Sequence, residues 1–384
     1  EFMNFILISI RSIISITIIN ITILLQKIYN KNFIFFYFPR KKLTKKDQLY
    51  IEDLLENIDD NYKIIFGHQL NDINRKNFFF LFERFLPYLF GVDIIISNYL
   101  CDKFPSKCIK MYIHHCIYDS PLTEKKKELE TALRFSNYNY ILLSSNFVVQ
   151  YFSELIKKFP LSLANSIKNN TQLLSTGYPR LDYLLKNSDK NQTVDSIIIA
   201  PANYVAYPDH TLINHLEEIL DLLLNNFNYK IIYRPHPANK ILDFSYNKNI
   251  TNKPYEIAKK YENKKNFLFD LSDNYLKNYF RSKFMISDIS GTPFTYSFLT
   301  IRPVIFFSPN EDLFRKEHAN LNHFQDRNKI GVITNKVDDI ITIGSEMISD
   351  QKNYSKSIYD LRNNLENINT SKNIIQKIIK NILN

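Results

Sequence analysis

The chain has 384 residues, 45% apolar and 23% charged, with 30 Phe and 25 Tyr. That much core-forming material excludes a disordered chain or a disulfide-stapled miniprotein and, at roughly 150 residues per domain, predicts two or three domains. The net charge of +10 comes from basic residues scattered along an Ile-, Asn- and Lys-rich chain with no recognised nucleic-acid motif, so no nucleic-acid partner is expected.

Taken in chain order, Glu1 and Phe2 precede Met3 and read as a vector remnant. Phe5 to Leu25 is a nearly continuous Ile/Leu run close to spanning length, without the small-residue cleavage site of a secretory signal. Asn4, Arg11, Ser15, Thr22 and Gln26 recur at helical spacing as a weak polar stripe. Lys27, Lys31, Arg40, Lys41, Lys42, Lys45 and Lys46 follow as a basic flank. The expectation is an apolar helix over residues 3–30 lying on an anionic membrane surface, peripheral on the cytoplasmic face; a spanning helix and a buried core helix are the alternatives.

Beyond it, short apolar runs alternate with segments of helical period, the pattern of an α/β fold with parallel strands and crossover helices. Strands are predicted at Phe33–Phe38, Lys63–Phe66, Asp93–Ser97, Lys110–His114 and Tyr140–Ser144, with helices at Thr44–Ile58 and Asn146–Lys157. A second set follows at Ser196–Ala200, Lys230–Tyr233, Phe267–Phe269, Phe284–Ser287 and Val304–Phe307. The polar stretch Lys186–Thr193 separates the two sets. It predicts an N-terminal domain of residues 31–185 and a C-terminal domain of residues 186–384, closed by helices in Tyr354–Asn384, with strand ends facing a central cleft.

Four segments carry candidate chemistry. Cys101, Cys108 and Cys116 bracket His114 and His115 but lack a zinc-knuckle spacing, and they suit a reducing compartment. In M-Y-I-H-H-C-I-Y-D-S-P (Met111–Pro121), His114 or His115 is a candidate base with Asp119 to hold its tautomer; the alternative is a packed histidine pair at a strand end. G-Y-P-R-L-D (Gly177–Asp182) offers Arg180 and Asp182 either to substrate or to a hinge. Y-R-P-H-P (Tyr233–Pro237) holds His236 between two prolines beside Arg234 at a strand end. F-M-I-S-D-I-S-G-T-P (Phe284–Pro293) ends a strand near Asp288, turns at Gly291 and starts a helix with Thr292 as cap. Its amides at Ser290, Gly291 and Thr292 suit phosphate, or simply begin a capped helix.

In this order the motifs resemble the CDP-glycerol glycerophosphotransferase family, the teichoic-acid polymerases and their relatives. G-Y-P-R-L-D is similar to the family's G-x-P-R-x-D, R-P-H-P to its histidine motif, and S-D-I-S-G-T to its S-D-x-S-S. A-P-A-N-Y at Ala200 and R-P-V-I-F-F at Arg302 resemble family strand segments. The likeness covers about residues 110–310. It implies a GT-B fold of two Rossmann-like domains, with an acceptor-side histidine (His115, or His114) as general base. His236, Arg234, Asp288, Ser290, Gly291, Thr292 and Arg180 would then serve the donor nucleotide and its phosphates. The first motif departs from the family's H-G, having His114, His115 and Cys116, and Gly291 replaces the second serine. No D-x-D motif occurs, so no metal or cofactor is expected. The implied reaction moves glycerol phosphate from CDP-glycerol to a hydroxyl of a glycan or lipid-linked acceptor; a GT-B transferase using a nucleotide sugar is the alternative.

Overall fold

Strands that read as unbroken apolar runs are those a parallel sheet buries on both faces, and such runs form the centre of two sheets here. The computed structural model of the chain describes residues 2–38, 45–56, 58, 61–68, 77–119, 125–204, 207–236, 253–272 and 274–383. The chain divides into two units. One comprises Glu1–Cys116, Glu124–Tyr183 and Glu366–Asn384, the other Ile117–Thr123 and Leu184–Leu365.

The first unit contains β1 (Asn32–Phe38), β2 (Tyr62–His68), β3 (Phe78–Phe80), β4 (Ile94–Ser97), β5 (Ile109–Ile113), β6 (Tyr140–Leu143) and β7 (Gln172–Ser175). They lie in the order β3-β2-β1-β4-β5-β6-β7 with every pair parallel. The second unit contains β8 (Ser196–Ile199), β9 (Lys230–Tyr233), β10 (Phe267–Phe269), β11 (Ser282–Ser287), β12 (Val304–Phe307) and β13 (Gly331–Thr334), in the parallel order β10-β9-β8-β11-β12-β13. Both orders are doubly wound. The direction of winding reverses between β1 and β4 and again between β8 and β11, and at such a reversal the loops leaving the strand ends part to open a crevice.

The central strands are the ones the apolar runs predicted: β8 and β12 are buried throughout. The edges β7 and β13 read Q-L-L-S and G-V-I-T and carry no such run, because a strand with one unpaired side is only partly covered and needs fewer apolar residues; β3 and β10, also at edges, are short apolar triplets. Gly331 opens β13 for a steric reason. A Cβ there would stand 1.8 Å from the Val304 carbonyl oxygen.

The N-terminal helix, Phe2–Lys27, is long and apolar enough by composition to cross a membrane, yet it packs along the first unit; of the expected polar stripe Ser15 is buried, Thr22 and Gln26 are half-buried and Arg11 is exposed. Ser12, Ser15 and Asn20 are buried beside Ile16, Ile19 and Ile23. The Asn20 side chain donates to the Tyr88 carbonyl (3.0 Å) and accepts from the Phe90 amide (3.1 Å), while Lys27 pairs with Asp93 at 2.6 Å. Thr17 and Thr22 return their hydroxyls to carbonyls one turn back, so neither needs water. Outward stand Ile6, Leu7, Ile10, Ile13, Ile14, Ile18, Ile21, Leu24 and Leu25, continued by exposed Ile28, Tyr29, Tyr88 and Phe90.

The chain passes between units more than once, unlike the single boundary expected at 185/186. The final helix, Ser371–Leu383, buries Ile375 and Ile379 against Ile34 and Phe36 in the first core, because its apolar stripe matches that face. G-Y-P-R-L-D is the clamp for this return. Asp182 accepts from the amides of Asn369 (2.7 Å) and Ser371 (3.1 Å) and from the Ser371 hydroxyl. Glu366 accepts from the Asn146 amide and the Ser175 hydroxyl. Gly177 has φ +81°, and a Cβ there would meet the Asn367 carbonyl at 2.9 Å. Gly177→Ala is therefore expected to cost about 2 kcal/mol or more in chemical denaturation, whereas Ser188→Ala just beyond the motif's helix should change it by less than about 0.5 kcal/mol.

Candidate active site

In the second unit the site grows from the reversal between β8 and β11. β11 leaves the sheet at Ser287, and the following Asp288 is fully buried. One of its oxygens accepts from the Ala202 amide (2.7 Å), the other from Leu212 (3.1 Å), tying the loop after β8 to the loop after β11. Burial pushes the Asp288 carboxyl up to about 6, against these amide bonds. Asp288 is thus a backbone staple beneath the loop. Ser290 is buried and its Oγ accepts from the Thr292 amide at 3.2 Å, so it plays the capping part expected of Thr292. Gly291 caps helix Thr292–Thr300 in an ordinary right-handed conformation, φ −73°, and the turn makes no use of glycine's freedom.

On the other side of β8, β9 ends at Tyr233, and the Arg234 amide extends its ladder to the Ile199 carbonyl. The buried Arg234 guanidinium pairs with Asp270 at 2.7 Å, donates to the Ser272 carbonyl at 2.8 Å and lies over the Tyr275 ring. Burial opposes the Asp270 charge, but hydrogen bonds from Ser272 and Asn278 and the adjacent Arg234 hold its carboxyl below the usual range. Arg234 therefore braces the loop after β9 against the end of β10. Behind it comes buried Pro235 and half-buried His236; Pro237 lies outside the described residues. Because β9 and β11 both flank β8, the Arg-Pro-His loop and the Ser-Gly-Thr turn leave the same edge of the sheet about 10 Å apart.

In the first unit, β5 ends at Ile113 and the His114 amide continues its ladder to the Leu142 carbonyl. The His114 ring packs at the edge of Phe152 and near Tyr112, and burial pushes it down to about 4, so it is neutral at physiological pH. His115 is held differently. Its Nδ1 lies 3.2 Å from the Tyr112 hydroxyl, its carbonyl accepts from the Tyr178 hydroxyl at 2.8 Å, and the Tyr99 ring centroid is 4.6 Å from its own. Asp119, expected to orient one of these rings, belongs to the second unit and accepts there from the amides of Asn322 and His323. Burial raises its carboxyl to about 6. The sequence reading passed over Tyr112 and Tyr178. The first had looked like one more strand residue, and the second marks its role only by standing between Gly177 and Pro179. Arg180 is half-buried in helix Pro179–Asn187. Among the described residues, no group of three or more His, Cys, Asp or Glu is placed to hold a metal ion.

No protein-family model matches the chain, and no curated protein matches it by sequence. Solved structures do. The wall teichoic acid polymerase TagF superposes with TM-score 0.61 at 17% identity, over 99% of this chain and 98% of that one. A variant of it soaked with CDPG gives 0.62 over the same shares.

The fold is GT-B.

A second set of GT-B neighbours agrees. S. aureus MnaA with UDP matches at TM-score 0.59 and 12% identity over 92% of this chain and 97% of that one. UDP-GlcNAc 2-epimerase from Methanocaldococcus jannaschii, in complex with UDP-GlcNAc and UDP, matches at 0.58 and 11% over 91% and 99%.

Two measurements test this electrostatic picture. The folded-state pKa of Asp288 stands above its ordinary 3.8, so its contribution to stability is fullest below pH 4 and is lost as pH rises through 6. Relative to Asp288→Asn, wild-type stability should decline by about 3 kcal/mol over that window, followed by urea unfolding. Asp270 has the opposite sign: its contribution is present above the unfolded pKa and lost as pH falls below it. Asp270→Ala should cost about 3 kcal/mol at neutral pH, since it strands a buried guanidinium.

Proposed function

We propose that the chain is a GT-B transferase that moves glycerol phosphate from CDP-glycerol to a hydroxyl of a cell-surface glycan or a lipid-linked acceptor. The observation that carries this reading is the pairing, on either side of β8, of the Arg234–His236 loop with the Ser290–Thr292 helix start. The likeness to TagF over nearly the whole chain, with CDPG named for one of those structures, supports the donor.

The amides at Ser290–Thr292 and the positive end of helix Thr292–Thr300 suit the donor diphosphate, and His236 serves its oxygens as a hydrogen-bond donor or cation. The acceptor hydroxyl attacks the β-phosphorus, the bond to the CMP oxygen breaks, and CMP leaves with the electron pair. His115 takes the acceptor's proton. His114, neutral and of low basicity, is the poorer base and packs the strand end. Charge developing on CMP falls on fixed amides and His236, so the route we propose calls on no metal. Arg180 is assigned to the phosphates as a further cation.

The acceptor's setting follows from the N-terminal helix. Its inward Ser12 and Asn20 are bonded to the protein and its aliphatic face is bare. We therefore place the protein on the cytoplasmic face of the membrane, the helix lying in the interface beside Tyr29, Tyr88 and Phe90, with Lys27 and Lys31 near anionic head groups.

His115→Ala and His236→Ala are each expected to lower CMP release from CDP-glycerol by ~100-fold or more with unchanged thermal stability. Release of UDP from a nucleotide sugar, with no CMP from CDP-glycerol, would replace the donor by a sugar nucleotide; wild-type rates in both variants would remove the mechanism. Replacing Ile14, Ile18 and Leu25 with Glu should abolish sedimentation with phosphatidylglycerol vesicles while leaving the melting temperature within a few degrees. Undiminished sedimentation would refute the membrane seat.

A further inference from the structure

A histidine can take a proton through Nε2 only if its own proton sits on Nδ1, and that tautomer persists only where something accepts from Nδ1. A carboxylate is the usual acceptor. The one beside this motif, Asp119, is committed to the amides of Asn322 and His323. The group that does stand at His115 Nδ1 is the Tyr112 hydroxyl, at 3.2 Å.

Resting on the reading of His115 as the acceptor-side base, we propose that Tyr112 is the positioning residue of His115, its phenol oxygen accepting from Nδ1–H so that the Nε2 lone pair is presented to the acceptor hydroxyl. The two residues are three apart, which the chain achieves because β5 ends at Ile113 and bends, bringing His115 back beside the face that Tyr112 occupies. Tyr112 cannot wander. It is 2% exposed and packed between Phe135 and Tyr138. Tyr178 pins the His115 carbonyl from the turn after β7, and the Tyr99 ring tilts against the imidazole from the loop after β4. Three tyrosines from separate segments thus hold the ring, its tautomer and its backbone.

A phenol differs from a carboxylate in one respect that matters to the chemistry. Burial holds the Tyr112 phenol well above its ordinary 10, so it stays neutral throughout the working range. It selects the tautomer without supplying a negative charge to the imidazolium that forms.

The experiment uses the full chain labelled with 15N-histidine. Wild-type His115, assigned by its loss in His115→Ala, should show a protonated Nδ1 and an unprotonated Nε2. Tyr112→Phe keeps the packing volume and should shift the proton toward Nε2, lower kcat roughly tenfold and leave the donor KM within about twofold. Tyr178→Phe, which removes a hydroxyl bonded to the His115 carbonyl rather than to its ring, should keep the wild-type tautomer. A wild-type His115 protonated on Nε2, or a tautomer unchanged in Tyr112→Phe, overturns the positioning role. Full turnover in His115→Ala would instead overturn the base assignment, which keeps the two failures apart.

Discussion

The second unit depends on the Asp288 carboxylate, which has almost no surface and spends both oxygens on main-chain amides of the loop after β8. Parallel strands deliver their loops to one edge but do not join them, and a loop rich in unpaired amides would otherwise turn to water. Without Asp288 the Ala202 and Leu212 amides lose their acceptors, at a cost of about 1–3 kcal/mol for each group left dry. With it, the turn carrying Ser290 and Gly291 sits on a fixed base.

The same device recurs wherever the chain crosses between units. Asp119 holds Asn322 and His323, Asp182 holds Asn369 and Ser371, and Glu366 holds Asn146. In each case an acidic residue meets the open amides at the start of a helix, where the helix dipole favours a negative group. Burial is the first influence on Asp119, Asp182 and Asp288 and raises all three, so they are poor candidates for acids or bases that must stay in contact with substrate.

These placements explain what the sequence could and could not disclose. Strands such as β1, β8 and β12 are legible because full burial demands uninterrupted Phe, Ile and Val. The edge strands β7 and β13 are not, because partial cover permits polar residues, whereas the edge strand β10 is legible as Phe267–Phe269. The doubly wound order, the Arg-Pro-His loop at a strand end and the Ser-Gly-Thr helix start follow from local rules and were visible. The destinations of the acidic residues were not: Asp119 and Asn322 are 203 positions apart, Asp182 and Ser371 189 apart, and no local pattern records such a pairing. Arg234 is similar, since its partner Asp270 lies 36 positions on, at the end of the neighbouring strand β10. The polar residues that the N-terminal helix turns inward are Ser12, Ser15 and Asn20, which share only Ser15 with the stripe expected from helical spacing, and spacing does not say which face meets protein.

That orientation constrains what the helix can be. A helix crossing a bilayer alone must satisfy its polar side chains within itself, and a core helix must cover its apolar ones. Here Ser12 and Asn20 are bonded by the domain, and the threonines by their own backbone, while a broad aliphatic face is left without cover. Turning that face into the protein would bury more hydrocarbon but would strand Asn20, whose amide bonds both the Tyr88 carbonyl and the Phe90 amide. The domain therefore determines the rotation of the helix, and with it the direction in which the exposed hydrocarbon points. We propose an in-plane helix docked from one side, with Tyr88 and Phe90 held beside it by the Asn20 bonds, because that arrangement would satisfy the polar and apolar faces together.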